Sequence, residues 1–209
     1  ALTPFTPSLQ LDENGLRQNI RHWIDDLEID GLFIAGKQGE FFSMSLSERR
    51  RCMSIAVEEV NNRPNPRNAG TILSCSDQNM DVVLELAEYA QNLSADYIVI
   101  HAPILHFTTN QDELLYEYYK YIAENVDIGI AMWSHPDSGY LMSPELCNRI
   151  ADLPNIVAIK YSVLPIAIEK DRLFVATGDP FDTKMIAVIE AVVNIPVSAG
   201  FAIRSDLVY

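Results

Sequence analysis

The chain has 209 residues, 48% of them hydrophobic and 21% charged, a balance that suits a globular protein able to bury a core and favours one domain over residues 1–209. Its 29 acidic against 15 basic residues give a formal charge of -14, which disfavours nucleic acid and anionic membranes as partners and obliges any anionic small substrate to find a local cationic pocket. No apolar run approaches the roughly 18 to 20 residues of a membrane-spanning helix, and the first residues lack the basic start and apolar stretch of a secretory signal, so a soluble, cytoplasmic protein is expected.

Along the chain, short apolar runs rich in β-branched residues alternate with longer amphipathic stretches. Ala1–Phe5 reads as a first strand. Asn14–Leu27 then places Leu16, Ile20, Trp23, Ile24 and Leu27 at helical spacing, before a strand over Gly31–Ala35. Ser47–Val60 reads as a helix, and the polar segment 61–68 as an exposed turn rather than a linker. Gly70–Ser74 is a strand, and Asp81–Leu93 a helix with Val82, Leu86, Tyr89, Ala90 and Leu93 on one stripe. The strand Asp96–His101, the helix Asp112–Asn125, the strand Ile128–Ser134 and the helix Pro144–Leu153 follow. The last strands fall at Ile156–Ser162, Leu173–Thr177 and Ile195–Ala199, near-continuously hydrophobic as strands buried on both faces should be.

Eight strands in this rhythm predict an α/β fold, a (β/α)8 TIM barrel of parallel strands, with a doubly wound open sheet as the alternative. The weak point is Val163–Arg172. Ten residues between parallel strands are at the lower limit for a helical crossover. Cys52, Cys75 and Cys147 are odd in number and widely spaced, which indicates neither a disulfide framework nor a zinc site. Asp179 and Asp182 in GDPFD lack partner histidines, so no metal is expected.

In a barrel, chemistry sits at the C-terminal ends of the strands. Lys160 lies inside the apolar run NIVAIKYSV, where an ammonium is costly unless paired or neutralised. Burial lowers a lysine's pKa, and a neutral amine in a polar-lined cavity is the nucleophile that forms a Schiff base with a carbonyl substrate. A structural lysine paired with a carboxylate, or one reaching solvent from the strand end, fits the same pattern. Gly36, Lys37, Gln38, Gly39 and Glu40 follow a strand directly, and two glycines allow a tight turn that offers backbone N–H groups to an anion. An ordinary strand-to-helix turn reads the same way.

Together these segments resemble the dihydrodipicolinate synthase / N-acetylneuraminate lyase family of class I, Schiff-base aldolases, over nearly the whole chain. Ala1–Thr6 is similar to the family's first strand, and Leu11–Gly15 to the segment that follows it. Gly31–Glu40 occupies the place of its glycine-threonine-threonine-glycine-glutamate loop, Ser45–Arg51 resembles its "LS..ER" helix start, and Ile156–Ser162 its lysine-bearing strand. The resemblance implies a (β/α)8 barrel, no cofactor, a pyruvate-type 2-oxo acid as substrate and assembly into homo-oligomers, dimers or tetramers. It also implies a helical C-terminal region, which this sequence, stopping after its eighth strand, is expected to lack.

Carried over by resemblance, Lys160 is the imine-forming lysine and Gly36, Gly39 and Glu40 match the loop, whereas its threonines are here Lys37 and Gln38. The family's catalytic tyrosine aligns with Trp133, and its aromatic pair after the fourth strand's proline becomes Ile104 and Leu105. The dicarboxylate-recognising arginine has no counterpart in Pro136–Gly139, which argues against dihydrodipicolinate synthase itself. Indole N–H donates a hydrogen bond but shuttles no proton, so His135, two residues on, is the first candidate for proton transfer, with His101 and His106 as rivals. Lys37 is either a grip for a substrate carboxylate or a solvated loop lysine, and Trp133 either an apolar platform or core filling. The expected activity is an aldolase or lyase. A dehydratase on a 2-oxo sugar acid and a lapsed member that only binds are the alternatives.

Overall fold

The structure, a computed structural model, describes residues 1–62, 69–105, 109–134, 142–160, 164–169, 171–177 and 183–201. His106, Phe107, His135, Asp179 and Asp182 lie outside the described residues, as do 63–68, 136–139 and 161–163.

Helix α1 (Glu13–Arg21) precedes strand β1 (Gly31–Ile34), and α2 (Leu46–Asn61) leads to β2 (Gly70–Ser74). After them come α3 (Met80–Asn92), β3 (Tyr97–His101), α4 (Gln111–Asn125), β4 (Gly129–Trp133), α5 (Pro144–Ala151) and β5 (Ile156–Lys160). The remainder is β6 (Leu164–Glu169), β7 (Arg172–Thr177), α6 (Thr183–Val193) and β8 (Val197–Phe201). β1 to β5 form one sheet in sequential order, β6 to β8 a second. Sequential order belongs to the (β/α)8 barrel; a doubly wound sheet reverses its order at a switch point. β1, β2 and β3 pair in parallel, Gly31 opposite Gly70 and Ile72 opposite Tyr97.

By compactness the chain divides into two units, Ala1–His101 with Asn125–Ala131, and Ala102–Glu124 with Met132–Tyr209. In the first, Leu16 and Ile20 of α1, Met53, Ile55 and Ala56 of α2, and Leu86 and Ala87 of α3 are buried, as are Leu32, Ile34, Leu73 and Ile98 of the strands. The second unit contains a core of Leu173, Val175, Ile189 and Val197, where α6 spans the parallel pair β7 and β8. Among the described residues no helix is long and apolar enough to cross a membrane.

Three expectations need correction. Ala1–Phe5 forms no strand, because Pro4 withholds an N–H and the segment's only bridge among the described residues is the antiparallel Phe5–Leu11 pair beside a turn closed by Thr6 and Gln10. Asn14–Leu27 is not one α-helix: α1 passes into a π turn over His22–Asp26, whose wider winding leaves Leu27 55% exposed while Ile24 stays buried. The crossover expected at Val163–Arg172 is a strand. β6 runs antiparallel to β7, Leu164 opposite Ala176 and Glu169 opposite Arg172, so the pairing is not parallel there. Only Lys170 and Asp171 separate the two strands, too few for a crossover, and Pro165 is tolerated because β6 is an edge strand with a register shift between Pro165 and Ala167.

Helices α1 and α2 are tied by ion pairs centred on Glu59, whose side chain is 6% exposed. Arg21 donates through Nε and Nη2 to its two oxygens at 2.8 and 2.9 Å, and Arg17 Nη1 adds a third bond at 2.9 Å. Hydrogen bonds from Arg21, and then from Arg17, hold the carboxyl down at about 2 against the opposing effect of burial. A carboxylate whose folded pKa is depressed stabilises the fold above its unfolded pKa, and that contribution is lost as pH falls through the folded value. Glu59→Gln is expected to lower the unfolding free energy by about 1–2 kcal/mol near neutral pH, the exposure of Arg21 moderating the loss. In urea titrations the deficit should shrink between 4.5 and about 2; a deficit independent of pH would contradict this role.

Candidate active site

The turn after β1 is built by short-range constraints. Ala35, buried at the strand's end, takes a left-handed φ of 53°, and Glu40 takes 58° at the other end of the turn. Between them Gly36 opens a single 3-10 turn over Lys37–Gly39, and a second, Phe41–Ser43, leads to α2. Ser45 starts α2 with a capping box: its hydroxyl accepts from the Glu48 amide, and the Glu48 carboxylate accepts from the Ser45 amide at 2.9 Å. A Cβ at Gly36 would stand 2.7 Å from Phe33 Cε1. At Gly39 the close neighbours are the Ala1 carbonyl at 3.0 Å and Thr3 Oγ1 at 3.1 Å, because the first residues lie along the turn. There Thr3 Oγ1 donates to the Gly39 carbonyl at 2.7 Å and the Ala1 nitrogen to the Phe33 carbonyl at 2.8 Å.

The expected cradle of amides is partly closed. Gly39 N–H donates to the Gly36 carbonyl and Glu40 N–H to the Lys37 carbonyl, both at 3.0 Å, so neither is offered to an anion. Lys37 is half-buried, Gln38 and Glu40 are exposed. An anion at this turn must be met by the other groups of Lys37 and Gln38.

The ends of β2 and β3 are joined by hydroxyls. Ser76 Oγ accepts from the His101 amide at 2.9 Å and from Ser74 Oγ at 3.2 Å, and the Cys75 amide donates to the Val99 carbonyl. His101 closes β3, half-buried. Burial pushes the Cys52 and Cys147 thiols up to about 12 and the Cys75 thiol higher still, which makes none of the three a nucleophile.

In the second unit, Trp133 is the last residue of β4 and Lys160 the last residue of β5, neighbouring strands joined through α5. A helical connection returns the chain to the start of the next strand, which puts both residues at C-terminal ends. Trp133 is 2% exposed, so its ring fills the interior and offers no open platform. Its main-chain carbonyl accepts from the Ala102 amide at 3.2 Å, and its own amide donates to the hydroxyl oxygen of Tyr119. Burial raises the Tyr119 hydroxyl well above its ordinary pKa, keeping it protonated. Ser134, also buried, accepts from the Met142 amide at 3.0 Å. Ile104, after β3, is 43% exposed.

Of the residues singled out in the sequence, Gly36, Lys37, Gln38, Gly39 and Glu40 share one turn, and Trp133 and Lys160 close adjacent strands. Tyr119 escaped notice, and Arg49 figured only within the Ser45–Arg51 helix start, with no role at the site. Each looks like one more residue of an amphipathic helix, and only its burial, 0% and 3% exposed, sets it apart. Among the described residues no three His, Cys, Asp or Glu side chains gather as metal ligands.

Residues 1–191 match the dihydrodipicolinate synthetase family. The chain is 31% identical over 160 residues to the 4-hydroxy-tetrahydrodipicolinate synthase of Methanothermobacter thermautotrophicus, covering 76% of this chain and 54% of that protein. It is 30% identical over 163 residues to an N-acetylneuraminate lyase of Clostridium perfringens, covering 77% and 54%. Among solved structures it resembles CdNal from Clostridium difficile in complex with mannosamine, with a TM-score of 0.75 at 26% identity over 96% of this chain and 61% of that one. YagE, a prophage protein of the dihydrodipicolinic acid synthase family from E. coli in complex with pyruvate, shares the fold with a TM-score of 0.75 at 24% identity, covering 95% and 61%. The chain spans about half the length of the curated relatives it matches.

The contact at Gly36 gives a direct test of the turn. Gly36→Ala must displace the Phe33 ring or the turn itself, at a cost of about 1–3 kcal/mol read from denaturation midpoints. Gln38→Ala, on an exposed position, should be neutral; equal effects would contradict the close approach.

Proposed function

The chain belongs to the dihydrodipicolinate synthetase family, and from that premise we propose that it is a class I aldolase or lyase in which Lys160 forms an imine with a pyruvate-type 2-oxo acid. The observation that carries the proposal is the position of Lys160, the terminal residue of an otherwise apolar strand in a sheet whose five strands follow chain order, as in a (β/α)8 barrel. The Lys160 amine adds to the keto carbon, a water leaves, and the protonated imine draws electrons from the neighbouring carbon. Loss of a proton from that carbon gives an enamine. Its attack on an aldehyde makes a carbon–carbon bond, hydrolysis of the imine frees the product and the lysine, and the reverse order is cleavage. The imine itself is the electron sink, so this sequence of steps calls on no cofactor.

In this reading Gly36, Lys37, Gln38, Gly39 and Glu40 receive the substrate carboxylate. Lys37 supplies the local cation that a chain of net charge -14 needs for an anionic substrate. Support for pyruvate as the 2-oxo acid comes from the bound pyruvate of YagE. Trp133 stands beside the reacting lysine in the strand order but passes no proton, because an indole is neither acid nor base near neutrality; that task falls to His135. The absence of a dicarboxylate-binding arginine in Pro136–Gly139 turns the reading away from dihydrodipicolinate synthase itself and leaves aldol cleavage or condensation ahead of dehydration of a 2-oxo sugar acid. Assembly as a homodimer or homotetramer belongs to the same reading, and sedimentation velocity tests it.

A member that binds but does not turn over is favoured by one observation, the replacement of hydroxyl residues by Lys37, Gln38 and Trp133. Incubation with pyruvate and borohydride, followed by peptide mass spectrometry, addresses the imine directly. A reduced adduct on the Lys160 peptide is expected, and Lys160→Met should abolish it with little change in the denaturation midpoint. A folded protein that yields no adduct with pyruvate or larger 2-oxo acids would overturn the aldolase reading in favour of the binder.

A further inference from the structure

Arg49, in the first turn of α2, is 3% exposed, a costly place for a guanidinium. Burial pulls its pKa down, and the Asp77 carboxylate works against that. Nη1 donates to Asp77 Oδ2 at 2.8 Å and Nη2 to the Ser76 carbonyl at 2.7 Å, both in the loop that leaves β2. Its third nitrogen, Nε, meets no hydrogen-bond acceptor among the described residues. The guanidinium carbon lies over the Phe41 ring, 5.1 Å from its centroid. One buried cation thus grips the loop after β2 and, through Phe41, the turn after β1. Ser76, held by its carbonyl, uses its hydroxyl to fix the His101 amide at the end of β3.

The turn after β1 requires such a grip. Ala35 and Glu40 both carry left-handed φ values that non-glycine residues disfavour, and such conformations persist only where their surroundings over-determine them. Phe41 follows Glu40 directly, and the Ser43 amide returns to the Glu40 carbonyl at 2.8 Å. From this geometry we infer that Arg49 is a positioning residue: acting through Phe41, it holds the Gly36–Glu40 turn in the shape that receives the substrate carboxylate. The inference rests on the imine-forming reading above, since that reading assigns the turn its ligand.

The test is pyruvate-dependent borohydride trapping on Lys160 in the full chain, read as the half-saturating pyruvate concentration and the limiting trapping rate, with hydrogen exchange over residues 36–44. In folded Arg49→Met the half-saturating concentration should rise about tenfold or more while the limiting rate stays within about twofold, and exchange in the turn should quicken. Arg49→Lys keeps the cation over Phe41 but loses the two-pronged bond, and should fall between. Phe41→Leu leaves the Arg49 bonds in place and should move the same quantities in the same direction, which keeps the inference testable if Arg49→Met fails to fold. Trapping that falls only with the folded fraction, at an unchanged half-saturating concentration, would reduce Arg49 to a structural residue. No trapping in the unsubstituted protein would remove the imine reading and this inference with it; trapping that is normal in every variant would remove the inference alone.

Discussion

An ammonium at the end of an apolar strand is costly unless it is neutralised, paired, used or led out to solvent, and in this chain that constraint falls on Lys160, the terminal residue of β5. Few cations are available to share the burden of an anionic substrate. The chain carries five lysines, Lys37, Lys120, Lys160, Lys170 and Lys184, against 29 acidic residues. The proposed chemistry turns this shortage into selectivity: one lysine reacts, one meets the carboxylate, and the acidic remainder repels anions elsewhere.

The arginines do different work. Arg17, Arg21 and Arg51 brace α1 against α2 through Glu13, Glu58 and Glu59. Arg50 pairs with Glu85 beneath the Tyr89 ring, joining α2 to α3. In the second unit Arg149 pairs with Glu113 while lying 4.2 Å from the centre of the Tyr116 ring. Among the described arginines only Arg49 is buried, and it alone of these points its fork at loops on the C-terminal side of the strands. A guanidinium is suited to this because its plane stacks on an aromatic ring while its edge serves two acceptors.

Much of this was legible in the residues. Gly70–Ser74 was readable to the residue, and Gly31–Ala35, Asp96–His101 and Ile128–Ser134 were each within a residue at either end, because buried parallel strands are continuous apolar runs closed by turn residues. What escaped were features set by partners distant in sequence or by a change of winding. Leu164, Ile166 and Ile168 alternate as a strand does, yet Pro165 argues against one until β6 is known to be an edge. Leu27 fits the stripe of α1 and is exposed only because the π turn at His22 adds a residue to the winding. At the proposed site, Gly36–Glu40 and Lys160 stood out through their types and places, and Trp133 through the family resemblance. Arg49 and Tyr119 did not, since a buried polar side chain on a helix shows itself only by what it touches, here Asp77 and Ser76 in one case and the Trp133 amide in the other.

The most direct test of the central claim is nuclear magnetic resonance of the protein with 15N-labelled lysine side chains and pyruvate labelled with 13C at its keto carbon. An imine carbon coupled to a single lysine Nζ, assigned to Lys160, is the predicted result. A keto carbon that remains free ketone and hydrate in the presence of folded protein, or that couples to Lys37, Lys120, Lys170 or Lys184 instead, would contradict it.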